Sequence, residues 1–148
     1  MKIAVIGGVA AGTSAAAKAS RTNEDAEIVV FEKGEDISYA GCGLPYYISE
    51  VTESRGKVVI NTPAEFEEKY GVEVKTKHEV TDINTEQKVL KFKDLENDSE
   101  GQYEYDKLII TTGAKPVVPP IDGIDLDNIR PLRTVKDADL IKEEVKDA

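Results

Sequence analysis

The chain has 148 residues, a formal net charge of −10 at pH 7, one histidine and one cysteine, with 40% hydrophobic and 32% charged residues. This is about one domain's worth of globular chain, and its single cysteine excludes an internal disulfide. The negative charge argues against nucleic acid and against an anionic membrane surface as partners.

Lys2–Ile6 is a short apolar run that suits a buried strand rather than the h-region of a signal peptide. No membrane-spanning apolar run is visible either, so the expected compartment is the cytoplasm. Gly7-Gly8-Val9-Ala10-Ala11-Gly12 forms a turn. Thr13 to Arg21 reads as an alanine-rich helix, and Ala26 to Phe31 as a second buried strand. This is the opening of a doubly wound α/β fold. Cys42 to Ser49 suggests a short helix with Pro45 in its first turn. Thr62-Pro63-Ala64-Glu65 holds a cap, an initial proline and a capping box, and Gly71 ends that helix. Val72 to Lys75 is the next strand of the parallel sheet.

The period then changes. His78–Ile83, Lys88–Lys93 and Gln102–Tyr105 alternate polar and apolar residues, with turn signals at Asn84 and from Glu96 to Gly101. This predicts a three-stranded antiparallel meander. Lys107 to Thr111 returns to the buried sheet. Three prolines make Lys115 to Gly123 an extended connection. Thr134 starts a last helix that runs to the chain end. The predicted fold is α/β, a Rossmann-like doubly wound parallel sheet with an inserted antiparallel β-meander.

Several positions carry chemistry. Gly7 and Gly12 occupy the first and third places of a dinucleotide-type G-x-G-x-x-G, with Gly8 one residue early. A carboxylate at the end of the second strand, Glu32, suits the ribose hydroxyls of an adenosine and disfavours a 2′-phosphate. These features do not separate FAD from NAD. Thr111-Thr112-Gly113-Ala114 turns at the C-terminal edge of the sheet, where ligands bind; a plain strand-to-loop turn is the alternative. Cys42 lies between Gly41 and Gly43, which let a flat ligand approach. The helix start after it favours the thiolate. A lone cysteine also suits a small buried hydrophobe. His78 reads as a surface strand residue, and no cluster has metal-ligand spacing. Lys18 and Arg21 share one face of the first helix, either as a solvated face or as a phosphate clamp.

Taken together, the Gly7–Gly12 turn with Glu32, the Ser38–Tyr47 cysteine segment and Tyr105–Pro116 resemble the N-terminal flavin domain of the pyridine nucleotide–disulfide oxidoreductases. The single cysteine is similar to the branch of coenzyme A disulfide reductases, NADH oxidases and NADH peroxidases. The resemblance implies FAD. Its pyrophosphate would lie over Gly7, Gly8, Ala10, Ala11 and Gly12, its ribose on Glu32 and its isoalloxazine beside Cys42. Lys33, Val80, Thr111, Thr112, Gly113, Ala114 and Arg133 match further flavin-contact positions. Oxidase and peroxidase members usually carry a histidine where Ala10 stands here, and the form of Gly7–Gly12 followed by Cys42–Tyr47 most resembles coenzyme A disulfide or persulfide reductases. Their coenzyme A site matches Ser14, Lys18, Arg21 and Ser38.

The implied cycle runs from NAD(P)H to FAD to Cys42. The Cys42 thiolate attacks a coenzyme A disulfide, persulfide or polysulfide and forms a mixed disulfide, which the flavin then reduces. The alternatives are an oxidase or peroxidase cycling through a Cys42 sulfenic acid, a non-catalytic FAD-binding module, and an NAD-linked dehydrogenase. The family is much longer than this chain. Residues 1–148 are therefore expected to be one FAD-binding domain of an enzyme whose NADH-binding and dimerisation domains lie beyond it. The full-length enzyme is expected to be a homodimer. The piece alone is expected to hold FAD weakly and to turn over NADH poorly.

Overall fold

The structure, a computed structural model, describes residues 1–146. They fall into two compact units. One is Met1–Ser38 with Asn61–Thr112; the other is Tyr39–Ile60 with the chain from Gly113 onward.

The first unit is built on a parallel sheet. Its strands are β1 (Lys2–Ile6), β2 (Glu27–Phe31), β3 (Glu73–Lys75) and β7 (Lys107–Ile110), in the order β3-β2-β1-β7. β1 and β2 are continuous apolar runs because both of their faces are covered. Ile3, Val5, Ile28 and Val30 point to one face, where they pack on Ala16 and Ala17 of α1 (Ala10–Thr22) and Phe66 of α3 (Pro63–Tyr70). Ala4, Val29 and Phe31 point to the other, where they meet Leu90 and Tyr105. A strand's period of two thus divides one apolar run between two cores.

The second of these cores is closed by the predicted meander: β4 (His78–Asn84), β5 (Val89–Asp94) and β6 (Ser99–Glu104), antiparallel in that order. β6 begins three residues before the predicted start. The hairpin turns early because Asp94 Oδ1 accepts the backbone N–H groups of Glu96 and Asn97 at 2.9 and 3.2 Å. Gly101 therefore lies inside a strand, opposite Phe92. A Cβ on Gly101 would fall within 2.8 Å of Phe92 Cε2, so the ring occupies the space a side chain would need. Phe92 in turn packs on Phe31, with centroids 5.2 Å apart.

α3 matches its sequence signals at both ends. Thr62 and Glu65 exchange a reciprocal capping box, and Gly71 closes the helix in the left-handed region at φ 62°. α1 starts at Ala10 rather than Thr13, because Thr13 N–H already bonds Val9 C=O at 3.1 Å. The last three residues of the glycine motif are therefore the first turn of the helix.

In the second unit, a 3₁₀ turn at Gly41–Gly43 leads into α2 (Leu44–Ile48), a second 3₁₀ turn spans Arg55–Lys57, and α4 covers Val135–Lys146. The predicted continuation of α4 over the final two residues lies outside the described residues. Tyr39 bridges Val59, and Ala40 N–H donates to Val58 C=O at 2.8 Å. α2 is tied to α4 by Tyr47 Oη–H to Asp139 at 2.9 Å and by Lys142 Nζ–H to the Tyr47 carbonyl at 3.1 Å. Arg55 pairs with the same Asp139 at 3.1 Å. Residues 113–120, with all three prolines of the connection, hold no regular structure.

Tyr103 on β6 couples the meander to β2 in a way that depends on pH. Its ring meets Phe31 edge-on, and its hydroxyl donates to Glu27 Oε1 at 3.3 Å. Burial, followed by the Glu27 carboxylate, pushes its ionisation up to about 12 from 10.0. Between those two values the unfolded chain releases this proton and the folded chain keeps it, so the tyrosine's contribution to stability falls as pH rises through that window. In Tyr103→Phe, the loss of stability across that window is expected to be shallower than in the parent, read as denaturant midpoint against pH.

Candidate functional site

The glycine turn follows β1 and is shaped by close approach. Gly7 holds φ 100°, a conformation that glycine alone adopts without strain. A Cβ on Gly12 would be driven into the Gly7 carbonyl and would lie 2.8 Å from Thr111 Oγ1. One on Gly8 would lie 2.9 Å from Ile37 Cγ2 and 3.0 Å from Glu32 Cβ. Thr111 Oγ1–H pins the turn from β7, at 2.8 Å from the Ile6 carbonyl and 3.1 Å from that of Gly7. The first turn of α1 carries no acidic residue and no side-chain cap. Ala10 and Ala11 are exposed there. Such a helix start offers open N–H groups and a positive dipole end to an anion.

Glu32 is held in place rather than hanging from the strand end. Gly8 N–H donates to its Oε2 and Gly34 N–H to its Oε1, both at 2.7 Å. Each carboxylate oxygen keeps a second lone pair for another donor. Glu32 borders a cavity of about 140 Å³ that also contains the predicted Gly7, Lys33, Val80 and Thr112. His78 and Glu79 line it too, and the sequence reading had given neither a site role. Since strand neighbours two apart share a face, His78 follows from Val80. Its Nδ1 lies 2.7 Å from the Thr76 carbonyl, and its ring is 5.3 Å from that of Phe92.

A second cleft in the same unit, of about 240 Å³, brings together Ser14 and Arg21 of α1 with Ser38. Ser14, Ala17 and Arg21 are spaced as one helical face. Lys18 is exposed and is not among the lining residues. The sequence reading missed Asn61, Phe66 and Tyr70 in the same wall. Arg21 stands over the Tyr70 ring at 5.7 Å from its centroid. Ser38 has φ 50°, and its N–H donates to the Gly8 carbonyl at 3.0 Å.

In the second unit, Cys42 is a free, exposed thiol in the 3₁₀ turn directly before α2, which has proline at its start. A Cβ on Gly41 would meet nothing within 4 Å, whereas one on Gly43 would lie 3.3 Å from Val58 Cγ1. Gly113 adopts φ 69°, and Arg133 Nε–H donates to the Ala114 carbonyl at 3.2 Å. Among the described residues there is no group of acidic, histidine and cysteine side chains that could hold a metal. Among them, no helix is long and apolar enough to cross a membrane.

The chain is similar over its whole length to known proteins. A "NADH oxidase" of Enterococcus faecalis is 36% identical over 148 residues, which is 100% of this chain and 33% of that protein. A "Coenzyme A disulfide reductase" of Staphylococcus haemolyticus is 39% identical over 142 residues, 96% of this chain and 32% of that protein. The solved structure of a NAD-dependent persulfide reductase from A. fulgidus superposes with a TM-score of 0.93 at 34% identity, covering 100% of this chain and 28% of that one. The chain thus spans about a third of the length of these curated relatives. The family model described as pyridine nucleotide-disulphide oxidoreductase matches residues 1–148. The chain belongs to this family of FAD-dependent oxidoreductases.

Proposed function

We propose that this chain is the FAD-binding part of an NAD(P)H-dependent enzyme that reduces coenzyme A disulfide, or a related persulfide or polysulfide, through Cys42. The residues present fit FAD. Gly7, Gly8 and Gly12 let the turn close against Thr111, Glu32 and Ile37, where a Cβ would collide, and Ala10 and Ala11 leave the start of α1 exposed, where a pyrophosphate would lie. Open N–H groups of α1 face that space. Glu32, fixed by two backbone donors, accepts from the ribose hydroxyls. Lys33, Val80 and Thr112 border the adjoining cavity. Thr111 holds the turn, and the family resemblance assigns further flavin contacts to Gly113, Ala114 and Arg133. A bound FAD supplies the electron pair that reopens a disulfide.

The chain's own chemistry is thiol–disulfide exchange. The Cys42 thiolate attacks one sulfur of the substrate disulfide, forming a Cys42–S–S–R bond and releasing the other half as a thiolate. Exposure of Cys42 gives the substrate access. Ala10 leaves the glycine turn without a histidine, which favours disulfide reduction over an oxidase cycle.

The observation that carries the substrate class is the cleft where Ser14, Arg21 and Ser38 converge. Two hydroxyls and a guanidinium in one recess suit the phosphates of a coenzyme A-type nucleotide. Calorimetric titration with coenzyme A is expected to show saturable one-to-one binding. Arg21→Ala should weaken it by about tenfold, or about 1.4 kcal/mol. No binding by the parent, or equal binding by Arg21→Ala, would overturn the reading.

A further inference from the structure

Asn61 lies outside every motif that the sequence displays, yet it forms one wall of the cleft with Ser14, Arg21 and Ser38. Its Nδ2–H donates to Ser38 Oγ at 3.0 Å, across 23 residues of chain. Both ends of this bond are fixed. Ser38 is held in the left-handed region, and its N–H is tied to the Gly8 carbonyl. Asn61 directly precedes Thr62, whose backbone and side chain are both engaged in the capping box of α3.

The polarity of the bond matters. A serine hydroxyl has one proton and two lone pairs. When it accepts from an amide N–H, its proton remains to be donated elsewhere. In a recess that also contains Arg21, a serine fixed as a donor suits an anionic oxygen. Were the bond reversed, Ser38 would spend its proton on its neighbour and face the ligand with lone pairs.

We propose that Asn61 is a positioning residue of this cleft, setting the Ser38 hydroxyl as a hydrogen-bond donor to a phosphate-bearing ligand. The inference rests on the reading of the cleft as a coenzyme A-type site. It makes position 61 a determinant of how strongly that site prefers an anion.

The test uses the whole chain and coenzyme A as the probe. Asn61→Leu removes the donor and is expected to weaken binding about fivefold, the effect of one hydrogen bond. Asn61→Asp has nearly the same shape but accepts the Ser38 proton and adds a negative charge, so the loss should reach at least about tenfold. The decisive comparison is the double-mutant cycle. In a Ser38→Ala background, Asn61→Leu is expected to change affinity by less than about twofold, because the group it positions is gone. A role confined to folding would cost the same factor in both backgrounds, and that result would overturn the proposal. So would Asn61→Leu and Asn61→Asp variants that bind as tightly as the parent while Arg21→Ala does not; the site reading would then stand. A parent chain that fails to bind coenzyme A removes both. Circular dichroism identifies a variant that fails to fold, and if Asn61→Leu does so, the cycle is run with Asn61→Ala, which removes the donor without adding a charge.

Discussion

Gly12→Ala should lower the stability of the chain by about 2 kcal/mol, read as a shift in urea midpoint. Helix propensity alone points the other way. Gly12 lies within α1, and alanine is favoured there over glycine by about 1 kcal/mol. Packing decides the sign. The added methyl would be driven into the Gly7 carbonyl, with Gly7 C at 2.9 Å and Thr111 Oγ1 at 2.8 Å. These neighbours are backbone, or a side chain already bonded to the Ile6 and Gly7 carbonyls, so none can yield freely. Relieving such overpacking costs about 3 kcal/mol, which outweighs the propensity gain. Gly56→Ala is the control. Nothing lies within 4 Å of its added Cβ, and a change within about 0.5 kcal/mol is expected. A Gly12→Ala chain as stable as its parent would mean that helix and sheet do not meet closely at the turn.

Cys42→Ser should leave stability unchanged and abolish covalent chemistry with disulfides. The thiol is exposed, and no hydrogen bond fixes it in place, so the fold loses little when sulfur becomes oxygen. Thiol–disulfide exchange requires a thiolate, and a serine hydroxyl neither ionises near neutral pH nor replaces sulfur as the attacking atom. The effect is therefore all or none in rate and near zero in stability. A variant that loses both would place Cys42 in the structural core of its unit.

How much of this was legible in the sequence depends on how local each cause is. α3 was readable from end to end because Thr62, Pro63, Glu65 and Gly71 each act within a few residues. β1 and β2 were readable because burial on both faces leaves an unbroken apolar run. The start of β6 was missed because Gly101 looks like a turn residue, while its reason for being glycine is the Phe92 ring nine residues away. The site divides in the same manner. Gly7, Gly12 and Glu32 follow a known spacing, and their geometry in the first unit is that of a turn built by close contact. His78, Asn61 and Tyr70 gave no signal, since each acquires its place only when distant segments converge on one cavity wall. Lys18 shows the reverse. Its spacing from Ser14 and Arg21 is helical, but Ala17 is the residue that takes the cleft side of α1 between them.

The most direct test of the account is a mass spectrum of the intact chain after incubation with coenzyme A disulfide. One coenzyme A unit should add per chain, with one free coenzyme A thiol released, faster than glutathione reacts under the same conditions. The adduct should vanish on reduction and be absent from Cys42→Ser. A parent chain that stays unmodified, or that reacts no faster than glutathione, would contradict the assignment of Cys42 as the working thiol of a coenzyme A-type disulfide reductase.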